Sequence, residues 1–144
     1  GFRGRGVETI LTPHPGEMAR LLGRPVNDRL EDARDFAQEH NVCLVLKGHR
    51  TLIALPDGHM WVNPTGSPAM ATGGTGDILT GLIAGLVAQF PKQIPTAVRA
   101  AVWLHGRAGE IGAKELTEQC LIATDLLHYL PAAIRETITG YQSG

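Results

Sequence analysis

Five consecutive residues, Gly73-Gly74-Thr75-Gly76-Asp77, open the most apolar stretch of the chain. A helix starting here presents unpaired N–H groups and roughly half a positive charge at its mouth. Glycines just ahead of it let a phosphate reach those groups without interference from Cβ atoms. Gly74, Thr75 and Gly76 are therefore the candidate anion hole. An aspartate on the first turn is stabilised as a carboxylate by the same dipole. Beside a phosphate, Asp77 could take a proton from an attacking hydroxyl. Two better-known phosphate loops are excluded: no lysine follows these glycines, and the residue three after Gly76 is Leu79, not glycine. The plainer alternative is a flexible turn with Asp77 as helix cap.

Two further segments could meet a ligand, both directly after expected strands. Lys47-Gly48-His49-Arg50-Thr51 follows the apolar run VCLVL. Ligands of open α/β sheets sit beyond the carboxyl ends of strands, so these residues are well placed for a nucleotide; Lys47 could equally be a solvated surface lysine. Thr12-Pro13-His14-Pro15-Gly16-Glu17 follows residues 7–11. Two prolines fix the backbone around His14, as in a shaped loop. Glu17 sits at a helix start, where a carboxylate is favoured anyway, and a role near magnesium is the sharper reading. The other histidines show no metal-ligand spacing, and His105 reads as a packed or capping residue. Neither Ser67 nor Ser143 has a nucleophile-elbow context.

The elements that must position these groups are readable from local signals. Residues 7–11 (VETIL) form a short strand that stops before Pro13. Residues 17–22 form a short helix that Gly23 can end. Asn27 or Asp28 caps a second helix to about Glu39, with Leu30, Ala33, Phe36 and Ala37 on one face. The unbroken apolar run 42–46 suits a strand covered on both sides. Residues 51–55 and 59–62 flank a Pro56-Asp57-Gly58 turn as a hairpin. Residues 63–76 carry no charge and read as a loop that could fold over a ligand. Residues 78–89 are apolar nearly all round, which predicts a buried helix whose Gly81 and Gly85 admit another backbone. Pro95 begins a long Ala-rich helix to about Glu115. Thr124 caps another short helix, and Pro131 begins a last one with Gly140 past its end.

Composition bounds the class. The chain has 144 residues, 43% hydrophobic, with 13 Lys+Arg against 14 Asp+Glu. That predicts one domain over residues 1–144 and argues against disorder and against a nucleic-acid binder. The longest strongly apolar stretch without a charge, residues 78–91, falls short of the roughly 20 residues a membrane span needs. Cys43 and Cys120 are single and far apart, so neither disulfides nor zinc are indicated. With no signal-peptide pattern, a cytoplasmic location is expected. Glycine is 18 of 144 residues, well above the average of about 7%, so some backbone must turn tightly or approach closely.

The three loops together, LTPHPGE, LKGHRT and ATGGTGD-IL-G, resemble the carboxy-terminal half of the ADP/ATP-dependent NAD(P)H-hydrate dehydratases over roughly residues 7–133. GTGD alone points only to ribokinase-like enzymes at large; PHPGE with KGxxT narrows it. The resemblance implies an α/β, ribokinase-like fold, here a partial, mostly parallel sheet flanked by helices. It implies that Lys47, Gly48, His49, Arg50, Thr51 and Gly76 contact the nucleotide, and that His14 and Asp77 bind the hydrated nicotinamide. The implied reaction uses ADP or ATP, with Mg2+, to phosphorylate the ring hydroxyl of NAD(P)H hydrate; phosphate then leaves. Asp77 would be the base, and Glu17 a candidate for the metal.

The family domain is about twice this length, and its amino-terminal half supplies much of the sheet. A homo-oligomer or a second chain completing the sheet is therefore expected, or the sequence is a fragment. Two other functions share part of the pattern: a ribokinase-like small-molecule kinase and a non-catalytic nucleotide-binding half-domain.

Overall fold

A computed structural model describes residues 2–71, 75–116 and 123–143. The strand β1 (Gly6–Leu11) is followed by α1 (Pro15–Leu22), whose start is a reciprocal cap. His14 Nδ1 accepts from the Glu17 N–H at 3.1 Å, and Glu17 Oε1 accepts from the His14 N–H at 3.0 Å. Gly23 ends the helix in the left-handed region at φ 72°, where a Cβ is disfavoured. Asp28 caps α2 (Arg29–His40) by accepting from the Glu31 N–H. The strands β2 (Val42–Leu46), β3 (Leu52–Ala54) and β4 (Met60–Val62) complete a sheet of order β1-β2-β3-β4.

That sheet is mixed, a correction to the mostly parallel one expected. β1 and β2 pair in parallel, whereas β2 with β3 and β3 with β4 are antiparallel. The link from β2 to β3, residues 47–51, is too short for the crossover a parallel neighbour requires. Alternation along β2 then builds two cores. Val42, Leu44 and Leu46 pack with Met18, Ala33, Phe36 and Ala37 under α1 and α2. Cys43 and Val45 face α3 (Thr75–Gln89) and α4 (Ile94–Leu116), meeting Leu79, Ile83, Val98, Ala101 and Val102. Burial pushes the Cys43 thiol up to about 12, so it serves as a small apolar group. The helix α5 (Ala123–Ser143) packs on α4 through Leu126, Tyr129 and Ala133. Among the described residues no helix is long and apolar enough to cross a membrane.

Four local expectations are corrected. Leu30 is 51% exposed; the buried polar residue of α2 is Asp32, which the Arg24 guanidinium clasps at 2.7 and 3.2 Å while the Asn27 N–H donates at 3.0 Å. The helix α3 is not buried all round: only Thr75, Leu79 and Ile83 are, because the sheet covers one side. Gly81 and Gly85 are exposed, and nothing lies within 4 Å of where their Cβ atoms would be. Pro131 lies inside α5 and so does Gly140, one helix where two were expected. Pro131 and Leu127 are both exposed, so the carbonyl that proline leaves unpaired is on the solvent side.

Two stability predictions follow from these positions. Gly81→Ala adds helix propensity without a clash and should stabilise the chain by about 0.5–1 kcal/mol in urea unfolding; destabilisation would mean that the face is covered. The Arg24 clasp and the Asn27 N–H hold the Asp32 carboxyl at about 2, against an ordinary 3.8. A depressed carboxylate stabilises above its unfolded value and loses that contribution on acidification. The melting-temperature gap between wild type and Asp32→Asn should therefore be full at neutral pH and shrink between 3.8 and about 2.

Candidate active site

Parallel pairing places the chain leaving β1 and the chain leaving β2 at one end of the sheet. The Lys47 N–H donates to the Pro13 carbonyl at 2.9 Å, carrying the ladder into both loops. The mouth of α3 joins them there: the hydroxyls of Thr12 and Thr80 are 3.2 Å apart and hydrogen bonded. A Cβ on Gly76 would lie 2.8 Å from Lys47 Nζ, so the lysine stem and ammonium lie over the first turn of α3. Glycine is needed there for space.

The loop before α3 is fixed by α4. Asn63 is buried and donates to the Thr65 hydroxyl at 2.9 Å; that hydroxyl donates to the Trp103 carbonyl, also at 2.9 Å. A Cβ on Gly106 would collide with the Thr65 hydroxyl and backbone, and one on Gly109 with the Met70 side chain. The Gly66 N–H donates to Glu110 Oε1 at 2.9 Å. Arg107 grips Glu110 at 2.7 Å and Glu136 of α5 at 2.7 and 2.9 Å, and these bonds raise its already high pKa. At the mouth itself, the Thr75 hydroxyl donates to the Met70 carbonyl at 2.6 Å, and His105 Nε2 donates to the Thr75 carbonyl at 2.9 Å.

These contacts enclose a cleft of about 1010 Å³. Of the residues singled out from the sequence, His14, Glu17, Lys47, Gly48, His49, Thr51, Thr75, Gly76 and Asp77 line it. Arg50 does not. It is exposed, and its carbonyl is held by Arg29 Nη2 at 3.0 Å, which fixes the bend after β2. Gly73 and Gly74 lie outside the described residues. Asp77 is exposed, and among the described residues nothing donates to its carboxylate. No carbonyl among them takes the Gly76 or Asp77 N–H.

The cleft is electrostatically asymmetric. Glu17 is pulled below its ordinary range, first by the bond from the His14 backbone and then by the charges of His14 and Lys47. Its carboxylate already serves the α1 cap, and no cluster of three metal-ligating side chains occurs among the described residues. His105 is pushed down by burial and, less strongly, by Lys47, against the opposing bond to Thr75; its ring is neutral. Arg29, Asn63, Thr65, Gly106 and Glu110 all escaped sequence reasoning as site supports. Gly106 carried a usable signal: glycine inside a helix costs about 1 kcal/mol against alanine, so close packing is the default reason for it. Gly106→Ala should therefore destabilise the chain by about 1–3 kcal/mol in chemical unfolding; a neutral outcome would show that the loop does not rest on α4 in solution.

The family model of NAD(P)H-hydrate dehydratase matches residues 2–132. The chain is 51% identical over 130 residues to the bifunctional NAD(P)H-hydrate repair enzyme of Moorella thermoacetica, covering 88% of this chain and 24% of that protein. It is 47% identical over 128 residues to the ADP-dependent (S)-NAD(P)H-hydrate dehydratase of Bacillus subtilis, covering 85% of this chain and 45% of the relative. The chain thus spans less than half the length of these relatives. A crystal structure of the ADP/ATP-dependent NAD(P)H-hydrate dehydratase from Bacillus subtilis, co-crystallised with ATP and Mg2+, superposes with a TM-score of 0.84 at 44% identity, over 88% of this chain and 47% of that one. The fold is the ribokinase-like α/β fold, present here in part. A four-stranded sheet with helices on both faces, three loops meeting at one cleft and a match along residues 2–132 agree: the chain belongs to the NAD(P)H-hydrate dehydratase family.

Proposed function

We propose that this chain carries the phosphate-handling part of an ADP-dependent dehydration that returns (S)-NAD(P)H hydrate to NAD(P)H. One observation carries the reading: Asp77, whose carboxylate has no partner among the described residues, shares the mouth of α3 with two N–H groups that no described carbonyl takes and with the Lys47 ammonium. Lys47 and the residue 76–77 amides suit the terminal phosphate of ADP, with Gly48, His49 and Thr51 along the nucleotide. Arg50, off the cleft, contributes to binding only through its backbone. His14, across the cleft, meets the hydrated nicotinamide with Asp77.

In this reading Asp77 takes the proton of the ring hydroxyl as its oxygen attacks the terminal phosphorus, and the bond to the departing AMP breaks. Amides aimed at the transferring group stabilise the charge it gathers. Phosphate then leaves the ring carbon, the ring nitrogen lone pair supplying the push, and a neighbouring carbon gives up a proton to restore the double bond. Magnesium is held in such sites by one or two carboxylates together with phosphate oxygens. Asp77 and Glu17 are the carboxylates the cleft offers, and the ion would neutralise phosphate charge. The small-residue stripe of α3 (Gly81, Ala84, Gly85, Ala88) is exposed, and β1 pairs only with β2 among the described residues. These features support further protein completing the working enzyme, whether a second copy, another chain or more of this one. A cytoplasmic setting supplies both nucleotides.

Incubation with hydrated NADH, ADP and magnesium should restore absorbance at the NADH band and release phosphate. Asp77→Asn should retain ADP binding and lose turnover by about 10²–10⁴-fold, the usual worth of a general base. Folded protein that restores no NADH, or a variant as fast as wild type, would remove the reading or Asp77's part in it. A stable phosphorylated product in place of free phosphate would mark a kinase.

A further inference from the structure

We propose that His105 is a positioning residue for the phosphate site: by holding the Thr75 carbonyl it aims the Gly76 N–H into the cleft. The inference rests on the phosphate-site reading above and adds a residue on a different helix. Thr75 C=O and Gly76 N–H belong to one peptide unit, which is planar and trans. Fixing the carbonyl direction therefore fixes the direction of the amide, opposite to it. The unit is the first within α3, braced by the helix on its C-terminal side alone, and glycine at 76 adds torsional freedom there, so a tether from outside the helix matters.

His105 supplies the tether. It sits on α4, is only 9% exposed, and its Nε2 lies 2.9 Å from the Thr75 oxygen. A carbonyl only accepts, so the ring carries its proton on Nε2. Nδ1 has no protein partner among the described residues, so this single bond is the ring's polar link to the mouth. The neighbouring Gly106 admits Thr65 without a Cβ, and this lets α4 come close enough for the bond to form. The Thr75 hydroxyl donates to Met70, and its carbonyl, at the head of α3, takes the His105 bond in addition to the helix's own.

Two amide variants separate aim from bulk. In His105→Gln the terminal NH2 reaches about as far as Nε2; in His105→Asn the same group is one carbon shorter and cannot reach Thr75. Calorimetric titration with ADP and with adenosine should show His105→Asn weakened about tenfold for ADP and unchanged for adenosine, the size of one lost hydrogen bond. His105→Gln should stay within about threefold of wild type for both. Equal ADP binding by His105→Asn, equal loss of adenosine, or a Gln variant as weak as Asn overturns the proposal. If His105→Asn does not fold, the wild-type ring decides: its nitrogen NMR shifts must report the Nε2–H tautomer with and without ADP, and an Nδ1–H tautomer overturns it. A wild-type chain that binds adenosine but not ADP removes the underlying phosphate site itself, a result distinct from any of these.

Discussion

The parallel pairing of β1 with β2 is the constraint on which the rest depends. It sends two loops out of the same end of the sheet, and their backbones stay joined by the bond from Lys47 to Pro13. Side-chain alternation makes the register unforgiving. A slip of one residue would turn Cys43 and Val45 toward α1 and α2, and Val42, Leu44 and Leu46 toward α3 and α4, exchanging the occupants of both cores. Because β2 is buried along its whole length, neither exchange is tolerated by solvent exposure. Where Lys47 stands relative to His14 is thus settled by hydrophobic packing some distance away.

The third wall is held differently. The loop before α3 has no charged side chain of its own. Hydrogen bonds to backbone fix it instead: Thr65 to Trp103, Gly66 to Glu110, Thr75 to Met70, His105 to Thr75. Such bonds are worth about 1 kcal/mol net each, but leaving a buried partner unsatisfied costs more. They act together because Gly106 and Gly109 let α4 come against the loop. A neutral imidazole suits this position. A second cation beside Lys47 would repel it, whereas a neutral N–H orients the peptide without adding charge.

Much of this was legible wherever the signal is local. Pro13 and the branched residues before it mark β1, Gly23 the end of α1, Asp28 the start of α2, and Pro56-Asp57-Gly58 the hairpin. The unbroken apolar run at 42–46 declared a strand buried on both faces, which β2 is. Three motifs sufficed to gather His14, Lys47 and Asp77 at one cleft. What failed depends on the surroundings of a helix, not on its own residues. The composition of α3 does not reveal that only one side meets the sheet. Leu30 and Asp32, two residues apart, lie on different faces of α2, and a clasp from Arg24, outside the helix, lets the face with the carboxylate be the buried one. Arg50 looked like its neighbours in the motif, yet it does not line the cleft, and the bend that Arg29 fixes through the Arg50 carbonyl has no signal in the motif itself. Pro131 reads as a helix start in sequence, yet an exposed helix face tolerates one lost bond.

The division between those two groups says something about how the site works. Every group proposed to handle phosphate sits on an element anchored inside the described residues: Lys47 directly after β2 and over the first turn of α3, Asp77 on α3, His105 on α4. None leans on the exposed stripe of α3 or on the free edge of β1. Groups that handle charge must be rigid before the ligand arrives, since reorganising dipoles during transfer forfeits the stabilisation they give. The side of the cleft proposed for the nicotinamide faces the opposite demand. His14 is half-exposed and, among the described residues, is tied only by its own helix cap. A substrate ring held there needs more enclosure than one imidazole gives. On the proposed function, preorganised phosphate chemistry and a more open substrate wall are two consequences of one arrangement, in which the strand-end loops are anchored from below and α3 presents its small-residue side outward.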